Sequence, residues 1–234
     1  MCIRDSSDPT GLASIEVSTN GGATWAPVKT SLSSVSVSLG SGDGLRTIEV
    51  RVTDVAGNTT TSTLVVRLDT TRPTISASLS APQSTIGYDG TTNIGMTISS
   101  SDLSGVASMT ILLDSTTALS GNTINVYGLL AGTHTIVITA VDGVGNTATQ
   151  TITFQLHPSR KGIAAAVNAG GASHAITAAE QSTLLSVLGN SANSLSTDLK
   201  NFIAAVTSQY GKAVSAAEAK VLLSWAQDDL KTLY

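Results

Sequence analysis

Apolar and polar residues alternate with a period of two through most of residues 1–157. This spacing puts apolar side chains on one face of a β-strand and polar side chains on the other. Turn residues such as Asn-Gly and Asp-Gly separate the alternating runs, a pattern that predicts antiparallel sandwiches. The predicted strands centre on Ile15/Val17, Val35/Val37/Leu39, Ile48/Val50/Val52 and Leu64/Val66/Leu68, and then on Ile75/Ala77/Leu79, Ile94/Met96/Ile98, Met109/Ile111/Leu113, Ile124/Val126, Ile136/Ile138/Ala140 and Ile152/Phe154/Leu156.

The β-region contains a repeat. The pattern Asp-x-x-Gly-Asn occupies residues 54–58 and again 142–146, each time between two predicted strands, and a Gly-containing turn pattern at 8–14 recurs at 102–108. Repetition at this scale predicts tandem modules. Before its first matching turn, the first unit is about 25 residues shorter than the second, which corresponds to two strands of typical length. We therefore expect a truncated first sandwich and a longer parent chain.

The hydrophobic period changes to a helical one after Gly162. Two capping boxes, Thr177–Glu180 and Ser215–Glu218, predict helix starts. Apolar stripes at helical spacing follow them, and a weaker helix is predicted over Ile163–Val167. Three or four helices with short connections predict a small antiparallel bundle. The chain is thus expected to be multidomain, with two all-β sandwiches at 1–69 and 70–157 and an all-α bundle at 162–234.

Composition narrows the partner classes. Charged residues are 12% of the chain, aromatic residues are 3%, and the net charge is −4, so a nucleic-acid partner is not expected. The single cysteine, Cys2, excludes an internal disulfide. The sequence has no apolar run near the roughly 20 residues that a membrane-spanning helix needs. No feature of the sequence indicates an oligomeric state.

The two β-units resemble bacterial immunoglobulin-like repeats. The resemblance covers roughly residues 7–157 and is specific to a superfamily, not to one ligand. It implies immunoglobulin-like sandwiches and an extracellular or cell-surface location. It is carried by the Asp-x-Ser/Thr-Gly-Leu/Val turn, the strand entry at Leu129, Gly132, His134, Thr135 and Ile136, the Asp-x-x-Gly-Asn turn, the joint at residues 69–73 and the string at residues 18–25.

The C-terminal segment, roughly residues 162–233, resembles the FIMAH domain, a helical module of many secreted bacterial hydrolases, including subtilisin-like proteases. The motifs that carry this resemblance are residues 199–206, residues 209–212 and the Ala-rich run from Ala216 to Leu230. A Gly/Ala/Ser stretch over Val167–Ala175 departs from the usual pattern. This resemblance implies no catalytic residue in the chain.

Calcium is the first candidate chemistry. Asp8, Asp54, Asp69, Asp102 and Asp142 lie at turns or at the predicted joint between units, and calcium prefers several hard oxygens on loops. Asp69, Asp102 and Asp142 are the candidate ligands, and no other cofactor is expected. The simpler interpretation of Asp54 and Asp142 is that they accept backbone N–H bonds in their own turns, with Gly57 and Gly145 at positive φ.

Catalysis and sugar binding are the other candidates. His134, His157 and His174 are the only histidines, and none lies in a triad, nucleophile-elbow or zinc-protease motif. We therefore expect no catalytic residue. Trp25 follows a Gly-Gly turn and is a candidate sugar platform, although a packed hairpin aromatic is more common. Trp225 is expected in the core of the bundle or at a docking surface.

The expected function is that of a non-catalytic spacer and C-terminal accessory region in a secreted or cell-surface bacterial protein, with a hydrolase domain upstream. Its expected partners are the parent catalytic domain or a cell-wall component. The alternative is a ligand-binding module of the adhesin type. An enzyme in its own right needs a catalytic constellation that the sequence does not contain.

Overall fold

The computed structural model describes residues 11–28, 34–82, 84–189 and 194–233. Cys2 and Asp8, which entered the sequence predictions, lie outside these residues. The chain forms two compact units. The first comprises Met1–Arg72 with the turn segments Asp102–Ser104 and Gly143–Asn146, and the second comprises Pro73–Ser101, Gly105–Asp142 and Thr147–Tyr234.

The described part of the first unit contains one antiparallel sheet in the order β2-β1-β3-β4. Its paired positions place Ile15 beside Val52 and Ile48 beside Leu64, so one face of the sheet is apolar, as the alternation predicts. Residues 34–39 form no strand, which makes the prediction over Val35–Leu39 wrong. The strands are β1 (Leu12–Ser18), β2 (Ala26–Val28), β3 (Gly44–Asp54) and β4 (Thr59–Leu68).

The second unit contains two sheets, in the orders β11-β10-β7-β8 and β5-β6-β9. Their inward residues, such as Ile94 and Ile136, are fully buried in a common core, so the two sheets form a sandwich. The strands are β5 (Thr74–Leu79), β6 (Ile94–Ser101), β7 (Val106–Leu113), β8 (Thr117–Ala118), β9 (Thr123–Ile124), β10 (Gly132–Asp142) and β11 (Thr147–Leu156), and a short 3-10 helix spans Val126–Gly128.

The sequence repeat is also a structural repeat. In each unit an 11-residue strand, β3 or β10, is followed by a four-residue turn and a 10-residue strand, β4 or β11. The preceding strand, β1 or β7, pairs with the other side of the long strand, and a short strand pairs beyond it. The sheets therefore have equivalent strand orders.

Four helices follow the strands in the described residues, so the predicted order of β-structure and then helices is confirmed. Thr177 and Ser215 cap α2 and α4 by accepting the amides of Glu180 and Glu218 at 3.3 and 3.2 Å. The first helix is longer than the predicted stretch Ile163–Val167. The helices are α1 (Arg160–Ala172), α2 (Ala178–Leu188), α3 (Leu195–Ser208) and α4 (Ala216–Lys231).

The helices of the second unit pack on its sandwich. Trp225 of α4 is fully buried, and its Nε1 donates to the carbonyl oxygen of Leu129 at 2.8 Å. The amide of Ala131 donates to Ser224 Oγ at 2.9 Å. At the start of α1, a Cβ placed on Gly162 would lie 2.1 Å from the carbonyl oxygen of Asp89. Sandwich and helices therefore share one hydrophobic core.

Candidate metal centre

The three aspartates that the sequence singles out as candidate calcium ligands fall in different units. Asp69 and Asp102 belong to the first unit, and Asp142 belongs to the second.

Asp69 directly follows β4 and is 8% exposed. Its Oδ1 accepts the amide of Thr71 at 3.2 Å, and its backbone carbonyl accepts Nδ2 of Asn146 at 3.2 Å. Its Oδ2 is buried and has no hydrogen-bond partner among the described residues. Burying an unpaired carboxylate oxygen is costly, so a cation is the kind of group that would compensate for it.

Asp102 begins the turn segment Asp102–Ser104 of the first unit. Its Oδ1 accepts both the amide and the hydroxyl of Ser104 at 2.8 Å, which fixes the carboxylate over its own turn. Asp142 is 2% exposed at the end of β10. Hard carboxylate oxygens on turns are the ligand type that calcium prefers. Each of these carboxylates is therefore a type of ligand that suits a calcium ion better than a soft transition metal.

Asp43, which the sequence analysis did not single out, holds the segment after Asp69. Its Oδ1 accepts the amide of Thr70 at 2.6 Å and the hydroxyl of Thr70 at 2.8 Å, and its Oδ2 accepts the hydroxyl of Thr71. The hydrogen bond from Thr71, followed by those from Thr70, lowers the pKa of Asp43. These contacts span 27 and 28 residues, so no local motif contains them.

Asp54 accepts hydrogen bonds within its own turn, as the simpler interpretation of this residue predicts. Its Oδ2 accepts Nδ2 of Asn58 at 2.7 Å, and its Oδ1 accepts the amide of Asn58 at 2.8 Å. The side-chain hydrogen bond from Asn58 is the main cause that lowers the pKa of Asp54. Gly57 and Gly145 have φ of +90° and +102°, as predicted for these turns. The repeated motif is therefore a turn motif in its first copy.

Two of the three histidines lie beside an aspartate side chain. His134 is buried in β10, with Nδ1 2.8 Å from Asp114 Oδ2 and Nε2 2.8 Å from the carbonyl oxygen of Leu130. A triad histidine turns Nε2 toward a nucleophile, but this one turns it toward a backbone acceptor. His157 Nδ1 lies 3.0 Å from Asp228 Oδ2, and His174 has a φ of +62° just after α1.

Trp25, the candidate sugar platform, is half-buried on the first sheet. The guanidinium carbon of Arg51 lies 4.2 Å from the ring centroid, a cation–π arrangement that covers one face of the indole. Arg51 is held in turn by Glu16 Oε2 at 2.7 Å. A sugar would therefore have to stack on the other ring face.

No family model matches the chain, and no curated protein matches it. Fibronectin(III)-like modules of Clostridium thermocellum CbhA match at 17% identity and a TM-score of 0.33, covering 65% of this chain and 82% of theirs. A tetra-tandem repeat in the extending region of a large adhesion protein matches at 17% identity and a TM-score of 0.31, covering 64% of this chain and 42% of that one. Likenesses at these TM-scores carry no conclusion about the function of this chain.

Among the described residues, no helix has both the length and the hydropathy of a membrane-spanning segment.

Proposed function

We propose that the chain is a non-catalytic spacer and C-terminal accessory region of a secreted or cell-surface bacterial protein. The carrying observation is the structural repeat. The strands β1-β3-β4 of the first unit and β7-β10-β11 of the second have equivalent order, and the last two strands of each set and the turn between them have the same lengths. Tandem copies of one β-unit extend a chain by simple addition. Such a segment suits the task of holding another domain at a distance.

The proposal extends to the whole protein. The resemblance to immunoglobulin-like repeats supports sandwich modules at 1–69 and 70–157, and the resemblance to the FIMAH domain supports an accessory module at 162–234. The same resemblance supports a secreted hydrolase as parent, with the catalytic domain upstream. The helical module would then contact the parent enzyme or a cell-wall component.

We also propose that Asp69, Asp102 and Asp142 bind Ca²⁺. The support is the buried, unpartnered Oδ2 of Asp69 in the first unit, together with the hard oxygen donors that all three side chains offer. A bound Ca²⁺ would compensate the buried charge of Asp69 and stabilise the folded first unit.

Two assays test the spacer proposal. We expect the purified 234-residue chain to show no turnover on peptide, ester and polysaccharide substrates, and measurable turnover would overturn the proposal. In the second assay the same chain is titrated with a soluble glycan panel. Saturable binding that is lost in Trp25→Ala, but kept in Tyr127→Ala, would favour the adhesin alternative instead.

Thermal unfolding tests the calcium proposal. Trp225→Phe leaves Trp25 as the one tryptophan, so its fluorescence reports on the first unit. We expect the unfolding midpoint to rise in millimolar Ca²⁺ relative to chelator, since a ligand that binds only the folded state stabilises it. The shift should vanish in Asp69→Asn and persist in Asp54→Asn. An unchanged midpoint in the Trp225→Phe chain would remove the proposal.

A further inference from the structure

Both ring nitrogens of His134, in the second unit, face hydrogen-bond acceptors. Nδ1 lies 2.8 Å from Asp114 Oδ2, and Nε2 lies 2.8 Å from the carbonyl oxygen of Leu130. A carbonyl oxygen and an ionised carboxylate can only accept a hydrogen bond. Burial raises the pKa of Asp114, but hydrogen bonds from the Thr135 amide and the His134 ring lower it by more, so Asp114 is ionised at neutral pH.

The two contacts of His134 require two N–H groups. A neutral imidazole has one, so it would leave one of the acceptors facing a nitrogen lone pair. His134 is 7% exposed, so water has little access to the ring, and a buried polar group without a partner is costly. The imidazolium form satisfies both contacts. Its charge also lies against the stacked ring of Phe154, with 5.2 Å between the centroids, and an aromatic face attracts a cation.

We propose that His134 is doubly protonated in the folded protein and forms a pH-sensitive link to the segment that receives α4. That segment, residues 129–131, makes two hydrogen bonds to the helix. Its first carbonyl oxygen accepts from Trp225 Nε1 at 2.8 Å, and its last amide donates to Ser224 Oγ at 2.9 Å. The carbonyl oxygen of Leu130 lies between these two contacts, so the proton on His134 Nε2 helps to hold the segment in place.

The sign of the pH dependence follows from the protons that each state binds. An unfolded histidine loses its second ring proton near about pH 6.5, whereas the folded chain keeps this proton on His134. The stability that the link contributes therefore falls as the pH rises above that value. The groups that contact the ring are Asp114, Leu130 and Phe154, and of these three Asp114 alone is charged or titratable.

Ring ¹⁵N–¹H correlation spectra of the full chain, recorded over a range of pH, test the protonation state. The two nitrogens of an imidazolium have similar ¹⁵N shifts, whereas those of a neutral ring differ widely. We expect His134 to remain an imidazolium at about pH 7.5, where the histidines of the urea-unfolded chain are neutral. Spectra of His157→Gln and His174→Gln assign the signals. A neutral His134 ring in the folded chain at that pH would overturn the proposal.

Asp114→Asn tests the role of the carboxylate. The new amide can donate to Nδ1, so a neutral ring satisfies both contacts, and we expect His134 to be neutral at about pH 7.5 in this variant. Asp228→Asn is the matched control, because it makes the same change beside His157, and His134 should stay an imidazolium there. An imidazolium that is kept in Asp114→Asn or lost in Asp228→Asn would overturn the role of Asp114. The wild-type spectrum decides the protonation state even if Asp114→Asn fails to fold.

Hydrogen exchange of the indole N–H groups tests the link to α4. After correction for the intrinsic exchange rate, we expect the protection of Trp225 Nε1–H to fall as the pH rises through the titration of His134. Asp114→Asn should move this loss of protection to lower pH. Trp25, in the first unit, is the reference, and its exchange should not follow the His134 titration. Protection of Trp225 that stays constant while the His134 ring loses its proton would overturn the link.

Discussion

The indole Nε1 of Trp225 donates a hydrogen bond to the carbonyl oxygen of Leu129 at 2.8 Å, across 96 residues of sequence. The bond joins α4 to the loop between the 3-10 helix and β10. Trp225 is fully buried there, and its ring lies 6.3 Å from that of Tyr127. This tryptophan therefore ties the helices and the sandwich into one unit.

Trp225→Phe removes the donor and leaves the Leu129 carbonyl without it. We expect a loss of about 1–3 kcal/mol in the free energy of unfolding, the cost of a buried polar group left unpaired. Urea unfolding followed by circular dichroism measures it, and the helix and strand signals should shift together. Trp25→Phe serves as the control and should cost less than about 1 kcal/mol. Equal effects of the two substitutions would contradict this prediction.

Gly90 is required at its position by both conformation and space. Its φ is +75°, and a Cβ there would lie 2.8 Å from Cζ3 of Trp225. Gly105 has a φ of +83° with nothing within 4 Å. We expect Gly105→Ala to cost about 1 kcal/mol for the left-handed backbone alone. Gly90→Ala should cost about 1–3 kcal/mol more because it overpacks the core. Similar unfolding midpoints for the two variants would argue against the close packing.

The Arg160–Asp198 ion pair is expected to matter more than the Arg51–Glu16 pair. Both have a 2.7 Å nitrogen–oxygen distance, but the Asp198 side chain is 1% exposed, whereas those of Arg51 and Glu16 are 34% and 26% exposed. Arg160→Met would leave a buried carboxylate alone, at a cost of about 3 kcal/mol. Arg51→Met should cost about 0–1 kcal/mol. Denaturant titration compares them, and a reversed order would refute the burial argument.

Glu218 provides a pH prediction. Its Oε1 is buried without a partner, and burial raises the pKa of its carboxyl group. The folded state therefore holds this proton more tightly than the unfolded state, and stability falls as pH rises through the raised pKa. We expect Glu218→Gln to equal wild type near about pH 3 and to be the more stable of the two at pH 7.

Glu180→Gln is the matched control for Glu218→Gln. Glu180 occupies the same capping position in α2, and its removal should cost about 0.3–1 kcal/mol at pH 7 through the helix dipole. Thermal unfolding across the pH range distinguishes the two variants. A loss of stability in Glu218→Gln at pH 7 would show that the ionised carboxylate is stabilising.

Local patterns predicted local structure well. The hydroxyls of Thr177 and Ser215 cap their helices as the capping boxes predict. The reciprocal half of each box is different, because the amides of Thr177 and Ser215 donate to the carbonyl oxygens of Ala213 and Ala175 instead. Those acceptors come from distant loops, so spacing alone could not reveal them.

Tertiary contacts explain the other differences. Helix α1 extends through a Gly-rich stretch that has poor helix propensity. Gly170 and Gly171 allow close approach there, since added Cβ atoms would lie 2.7 Å from Ile176 and 2.1 Å from Gln181. The alternation over Val35–Leu39 has the period of a strand but forms none. Asp69, Asp102 and Asp142 could be singled out from the sequence as turn residues. Asp43 could not, because its hydrogen bonds join it to Thr70 and Thr71, 27 and 28 residues away.

The close approach of Gly162 to the carbonyl oxygen of Asp89 has a consequence for the exchange of domains between genes. The apolar residues change from a strand period to a helical period near Pro158, as they would at a boundary between two independent domains. A helical segment grafted there onto a different β-module would need a loop that receives a bare glycine at the start of α1. Recombination that preserves folding is therefore expected to move residues 73–234 as one piece, with Asp89, Gly90 and Trp225 inherited together.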